Sequence, residues 1–259
     1  MTPMAYLDAE HPIRLAHRGS RILWPENTMA AFQGAVELGY RYIETDVRMT
    51  ADRRVVVFHD EDLDRLTNGT GRIADWRWDD LRHLDAAFHH DPDQGHPWRG
   101  RGQRIPLLAE VFEAFPDIRF NLDLKASGIE WAVWEEIARH ERTDSTLIGS
   151  FFDSRIRRFR RVSRGAVAVS AGPAAVLRMK TAARLGRTVS TPYAAFQVPT
   201  SMSEVTVVDS RFVAACHDSG AQVHCWTINE KSEMQRLLEL GVDGIVTDRP
   251  DVLNQVVGV

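Results

Sequence analysis

Eight short apolar runs, each followed by a stretch of helical or capping pattern, constrain this chain more than any other feature. The runs begin near residues 13, 41, 118, 146, 166, 194, 222 and 244. Between the later ones, apolar residues recur at helical spacing over Leu107–Phe115, Ile129–His140, Ser154–Val162, Pro173–Leu185, Ser210–Asp218 and Glu230–Leu240. Strands that alternate with helices form a parallel sheet. Eight such units in 259 residues fit a closed α/β architecture, the (β/α)₈ TIM barrel, as one domain over residues 1–259. An open doubly wound sheet would carry a Gly-rich phosphate turn after its first strand, and His17-Arg18-Gly19-Ser20-Arg21 is not one.

The second run folds back on itself. In Tyr42-Ile43-Glu44-Thr45-Asp46-Val47, Ile43, Thr45 and Val47 point one way while Glu44 and Asp46 point the other. The linker Met49–Arg54 is too short for a parallel crossover, so Val55–Asp60 returns antiparallel. A two-residue turn on Asp52-Arg53 makes opposed residues sum to 105 and sets His59 beside Asp46. On the third strand, Leu122 and Leu124 face the helices, so Asn121, Asp123 and Lys125 face the barrel axis. Strands lie ~4.8 Å apart, which lets Asp123 join Glu44 and Asp46.

Carboxylates crowded on one face repel and lose hydration when buried, so they need a cation between them or a substrate that uses them. Three acids without a cysteine suit one hard divalent cation, Mg²⁺ or Ca²⁺, rather than zinc. The other arrangement open to them is a buried ion-pair network with Arg18 and Lys125. His17 and His59 converge on the cluster and are the natural general acid and base.

Residues 61–104 form a long excursion with little periodicity beyond a short helix near Asp79–Leu84, an insertion after the hairpin. Its His83, His89, His90 and His96 read as surface or lid residues, with a second metal as the alternative. Arg155, Arg157, Arg158, Arg160 and Arg161 read as the solvated face of a helix. A net charge of −4 offers nucleic acid no basic field. No apolar run approaches the ~18 residues of a membrane span, so no stable membrane insertion is expected. Met1–Glu10 has no signal-peptide pattern, and Cys216 and Cys225 suggest no disulfide framework, so a cytoplasmic setting is expected. The oligomeric state is left open.

His17-Arg18-Gly19, Glu26-Asn27-Thr28, Glu44-x-Asp46-Val47 and His59-Asp60 lie in the same order as the signature of the glycerophosphodiester phosphodiesterase family. Leu63-Asp64-Arg65, Thr67-Asn68-Gly69, Asn121-x-Asp123-x-Lys125, Trp226-Thr227-x-Asn229 and Gly241-x-Asp243-Gly244-x-x-Thr247-Asp248-x-Pro250 continue the resemblance over nearly the whole chain. The resemblance implies a (β/α)₈ barrel with an insertion after the hairpin. It also implies hydrolysis of glycerophosphodiesters to sn-glycerol 3-phosphate and an alcohol. Glu44, Asp46 and Asp123 would be the metal ligands, His17 and His59 the acid–base pair, and Arg18 and Lys125 the phosphate-holding cations. The third ligand is commonly Glu in that family, whereas Asp123 is one methylene shorter, which implies longer or water-mediated coordination. Trp226, near the mouth, either packs against the glycerol carbons of the small-molecule substrate or belongs to the top of the core.

Two other functions compete. A phospholipase D-type activity on lysolipids or sphingolipids needs an exposed apolar rim, for which Trp76, Trp78, Phe88 and Trp98 of the excursion are candidates. A non-catalytic ligand-binding barrel would tolerate loss of a catalytic position, yet His17, Glu44, Asp46, His59 and Lys125 are all present.

Overall fold

Short runs rich in β-branched and other apolar residues form most of the strands β1 (Ile13–His17), β2 (Tyr42–Met49), β3 (Val55–Val57), β4 (Arg119–Leu124), β5 (Thr146–Gly149), β6 (Ala168–Val169), β7 (Ala195–Val198), β8 (Ser201–Met202), β9 (Val205–Thr206), β10 (Gln222–Cys225) and β11 (Gly244–Thr247). The computed structural model describes residues 5–8, 11–202 and 205–259. Among them, eight strands are parallel in the order β1-β2-β4-β5-β6-β7-β10-β11, and β11 pairs with β1. The seam between β6 and β7 closes through a Ser170–Ala195 bridge, with Ala171 N–H donating to Ala195 O at 2.8 Å. The sheet is therefore a barrel, as the strand–helix alternation predicts.

The helices are α1 (Met29–Glu37), α2 (Trp78–Leu81), α3 (Leu108–Ala114), α4 (Glu130–Arg139), α5 (Asp153–Val162), α6 (Pro173–Arg184), α7 (Ser210–Asp218), α8 (Lys231–Glu239) and α9 (Pro250–Val257). All but α2 follow the barrel strands, and their apolar stripes meet the outer strand faces. Phe32 of α1, for example, meets Phe115 and Phe120 edge-on at 6.1 and 6.0 Å. At the opposite end from the strand C-termini, Ala5–Leu7 seals the barrel: the Tyr42 hydroxyl donates to Tyr6 O at 2.7 Å. Arg119 donates to Asp8 O at the same distance.

The hairpin register differs from the sequence expectation by one residue. Val47 pairs Val57 and Met49 pairs Val55, so opposed residues sum to 104. Thr50 N–H donates to Arg54 O at 3.0 Å, leaving Ala51, Asp52 and Arg53 as a three-residue loop. Arg53 adopts φ +63°, the left-handed residue that such loops require. Phe58, not His59, is therefore the neighbour of Asp46, with Phe58 N–H donating to Asp46 O at 3.0 Å.

The excursion builds its own apolar cluster. Leu63, Leu66, Ile73, Leu81 and Ala86 pack on Val56 and Phe58, with Trp76 and Trp78 against them. The β8–β9 hairpin lay outside the sequence reading, since two-residue strands leave no periodicity to detect.

After β1 the chain turns sharply through Arg18, Gly19 and Ser20, with φ of 54, 81 and 120°. A Cβ on Gly19 would fall 2.6 Å from the Ala31 backbone carbon, so only glycine lets this turn seat on α1. Gly19→Ala is expected to lower stability by more than ~1 kcal/mol, because the backbone φ and the contact both reject a side chain. Chemical denaturation is the measurement, and an unchanged midpoint would contradict the account.

Candidate active site

The strand register places the functional side chains in two layers. His17, Glu44 and Asn121 are successive Cα partners across β1, β2 and β4. One layer nearer the mouth, Asp46 is the partner of Asp123, which in turn pairs with Gly149. The sequence-derived residues His17, Arg18, Glu44, Asp46, His59, Asp123, Lys125 and Trp226 all line one cavity of about 750 Å³ at the C-terminal ends of the strands. That is the end where such barrels place their sites.

Asp46 is the most buried of Glu44, Asp46 and Asp123, at 1% exposed. Arg18 Nε lies 3.0 Å from its Oδ2, Asn27 donates to Oδ2 at 2.9 Å, and Lys125 Nζ lies 3.0 Å from Oδ1. Burial opposes ionisation, but Arg18 and Lys125 outweigh it and hold Asp46 well below the usual carboxylate range. Lys125 also donates to Asp123 Oδ2 at 2.7 Å, and its pKa rises because these acids outweigh its desolvation. The ion-pair network open to these acids is thus present. It is incomplete: Glu44, Asp46 and Asp123 face Arg18 and Lys125, three acids against two bases. Burial, then the Asp46 charge, push Glu44 upward.

The oxygens left over test whether a cation fits. Glu44 Oε2, Asp123 Oδ1 and Asn121 Oδ1 are buried and accept no hydrogen bond among the described residues, and Asp46 Oδ1 meets only the Lys125 ammonium at 3.0 Å. Buried carboxylate and amide oxygens on adjoining strands form a hard donor set suited to Mg²⁺ or Ca²⁺. The side chains are not closed into a cage: among the described residues no three His, Cys, Asp or Glu groups are gathered around one point, since Lys125 stands between Asp46 and Asp123. In the excursion, His83, His89, His90 and His96 form no group of three metal-ligating side chains among the described residues. His89 and His96 merely set their rings 6.4 Å apart.

Both candidate acid–base histidines have a carboxylate behind Nδ1. His17 Nδ1 lies 2.7 Å from Asp248 Oδ1, and His59 Nδ1 lies 2.6 Å from Asp60 Oδ1. An ionised carboxylate only accepts, so in each ring Nδ1–H donates and Nε2 is left to exchange a proton. His17 Nε2 is 3.7 Å from Glu44 Oε2. Burial pulls the His17 pKa down, yet the Asp248 hydrogen bond and the Glu44 charge together raise it above its ordinary value.

The supporting carboxylates are held in turn. Asp248 accepts from Arg21 at 2.9 Å and from Asn229 at 3.1 Å. Arg65 of the excursion donates to Asp60 and, at 2.8 and 3.2 Å, to both oxygens of Glu26. Glu26 accepts from Arg18 at 2.8 Å. Asn27 does not cap α1; Thr28 does, accepting from Ala31 N–H at 3.2 Å. Asn27 instead accepts from Thr45 at 2.7 Å while donating to Asp46. The motif residues Glu26, Asn27, Asp60, Arg65, Asn229 and Asp248 were visible in the sequence without roles. Asp60, Asn229 and Asp248 carried a signal, an acid or amide just past a strand end, whereas Glu26, Asn27 and Arg65 carried none beyond the motif itself.

Other placements depart from expectation. Arg155 is not on a solvated face: it donates to Leu124 O at 2.8 Å beside the mouth. Trp76, Trp78, Phe88 and Trp98 do not line the cavity. The apolar side chains that do line it include Phe151, whose ring meets Trp226 edge-on at 5.3 Å, and Leu177, Met202 and Val205. Among the described residues, no helix is long and apolar enough to cross a membrane.

Comparison with known proteins agrees with this geometry. Residues 17–252 match the model of the glycerophosphoryl diester phosphodiesterase family. The protein named "Probable glycerophosphodiester phosphodiesterase 2" of Mycobacterium tuberculosis is 38% identical over 253 residues, 94% of this chain and 90% of that one. A glycerophosphodiester phosphodiesterase of Caldanaerobacter subterraneus is 32% identical, covering 94% and 96%. An Oleispira antarctica phosphodiesterase, solved in complex with the product sn-glycerol-3-phosphate, superposes with a TM-score of 0.80 at 26% identity, covering 98% and 99% of the two chains. With its barrel, its acidic mouth and this likeness over nearly its whole length, the chain belongs to the glycerophosphoryl diester phosphodiesterase family and is an enzyme of phosphodiester hydrolysis.

Proposed function

We propose that this enzyme hydrolyses glycerophosphodiesters to sn-glycerol 3-phosphate and an alcohol, with His17 and His59 as the acid–base pair and a divalent cation at the acidic cluster. The observation that carries the reading is the pair of carboxylate-backed imidazoles opening into one cavity with Arg18 and Lys125. The product held by the Oleispira antarctica protein supports the choice of substrate.

A phosphodiester is a monoanion whose displacement gathers charge on the equatorial oxygens. Arg18 and Lys125 meet that charge in a largely buried site, where it is worth more than in water. Glu26 and Asp46 fix the Arg18 guanidinium, so little reorganisation is required of it. One imidazole takes the proton of the attacking hydroxyl at Nε2, and the other gives a proton to the leaving alkoxide. Asp248 and Asp60 hold the tautomers that make this exchange possible and stabilise each ring when it is charged. The attacking hydroxyl is either the substrate's own glycerol 2-hydroxyl, giving a cyclic phosphate opened later by water, or water itself. Glu44, Asp46 and Asp123 would hold the cation, with Asn121 Oδ1 adding a neutral donor. When bound, the cation supplies further positive charge against the developing phosphorane-like oxygens.

His17→Ala and His59→Ala are each expected to lose at least ~10² in rate, the scale of one general acid or base, with little change in melting temperature. A coupled assay for released glycerol 3-phosphate reads the first, and thermal melting the second. Comparable loss of folding would assign these histidines to structure.

EDTA is expected to abolish turnover, and Mg²⁺ or Ca²⁺ to restore it. Asp123→Asn should raise the metal concentration required for half-activation at least ~10-fold, the scale of a perturbed ligand sphere. Full rate of that variant in EDTA would rule out the ligand assignment.

A further inference from the structure

Beside the catalytic cavity lies a second, smaller recess of about 240 Å³. Arg48 at the end of β2, Lys125 and Ser127 beyond β4, Arg155 of α5, and Glu61 and Ile73 of the excursion line it. Lys125 lines both spaces. Its ammonium is held on the catalytic side, 3.0 Å from Asp46 and 2.7 Å from Asp123. Strand alternation accounts for Arg48: it follows Glu44 and Asp46 on the same face of β2, one layer further toward the mouth.

Two guanidinium groups meet at this recess with their charge unanswered. Arg48 Nε donates to His59 O at 2.9 Å. Arg155 donates to Leu124 O at 2.8 Å and to Ser127 Oγ at 3.2 Å, and its guanidinium carbon lies 4.3 Å from the centre of the Phe152 ring. These partners are neutral. They fix the two forks and leave Arg48 Nη1 and Nη2 and Arg155 Nη2 without a hydrogen-bond acceptor among the described residues. Glu61, the one acid among the described residues that line the recess, is exposed and stands 4.0 Å from Arg72, in an ion pair with neither Arg48 nor Arg155. Burial is the main cause lowering the pKa of both arginines, and for Arg48 the Arg155 charge acts in the same direction. Half-buried like charges that lack a partner call for an anion between them, and planar forks of donors suit a carboxylate or a phosphate.

Building on the phosphodiesterase reading above, we propose that this recess is an anion subsite for the leaving alcohol. The preferred diester then carries a carboxylate or phosphate on its head group, gripped by Arg48 and Arg155 while the scissile phosphodiester lies against Arg18 and Lys125. Lys125, common to both spaces, makes the two anion sites neighbours, and the Arg48 bond to His59 O ties the subsite to the acid–base pair. The glycerol half of the substrate is neutral, so the second anion belongs to the alcohol.

The test compares kcat/KM within two matched pairs of diesters. Glycerophosphoserine is set against glycerophosphoethanolamine, which lacks only the carboxylate. Glycerophosphoglycerol phosphate is set against glycerophosphoglycerol, which lacks only the terminal phosphate. The anionic member of at least one pair is expected to be favoured about tenfold at low salt, the scale of a half-exposed hydrogen bond to a charged group. The pair that responds tells carboxylate from phosphate, and screening should shrink the preference at high salt. Arg48→Gln and Arg155→Gln should each abolish it, whereas Arg48→Lys and Arg155→Lys keep the charge and should retain part of it. Glu61→Gln, which removes the acid facing the same space, should increase it. The ratio within a pair is unmoved by a general loss of folded enzyme, so a destabilised variant still gives an answer.

Equal kcat/KM within both pairs for the wild-type enzyme, or a preference that survives both glutamine variants, would overturn the proposal. So would turnover of glycerophosphoethanolamine that responds to inorganic phosphate in the wild type but not in Arg48→Gln, with no preference in either pair; the recess would then hold a free anion and not the head group. Wild-type enzyme that cleaves none of these diesters would instead sink the phosphodiesterase reading beneath it.

Discussion

The crowding of three buried carboxyl groups at the mouth of the barrel sets the terms for everything near it. Glu44, Asp46 and Asp123 stand on adjoining strands because parallel pairing puts their Cα atoms in register or one layer apart. Such charges are costly away from water unless each is paired. Arg18 and Lys125 neutralise most of the cost, and the oxygens they leave unbonded concentrate a demand for positive charge where a phosphodiester would arrive. Stability alone would favour apolar residues here, so the arrangement is maintained for chemistry.

The same logic extends outward in shells. Each of the two candidate imidazoles has an acid behind it, and each of those acids has its own donors: Arg21 and Asn229 for Asp248, Arg65 for Asp60. Arg18 occupies a left-handed conformation, and its neighbour Gly19 presses against α1. Strained backbone persists where surrounding contacts over-determine it, and this turn is pinned by Glu26, Asp46 and Ala31 together.

Much of this was legible in the residues. The barrel followed from a period of strands and helices that no other closed sheet shares. The inward set on β4 followed from strict alternation, since Leu122 and Leu124 had to face the helices. The hairpin register was missed by one because loop length is a local choice: a third loop residue, Ala51, moved His59 out of line with Asp46. Partners such as Arg65 and Asn229 could not be assigned, because they reach the site across tens or hundreds of residues of chain. The competing lysolipid function would have needed an apolar rim, for which the tryptophans of the excursion were the visible candidates. Composition cannot say whether an aromatic packs inward, and here Trp76 and Trp78 pack over the local cluster around Ile73. The wall of the cavity is made instead by α6 and by a hairpin too short to leave a periodic trace.

Arg65 deserves a mechanical reading. It is the one side chain of the excursion that grips the carboxylate behind His59 and, through Glu26, the guanidinium of Arg18. The His59 side of the rim is thus tied to a lobe ordered by a small apolar cluster shared with Val56 and Phe58. Warmth or mild denaturant that frees this lobe would slacken the grip while the staves of the barrel still hold, and turnover would fade ahead of the global melt.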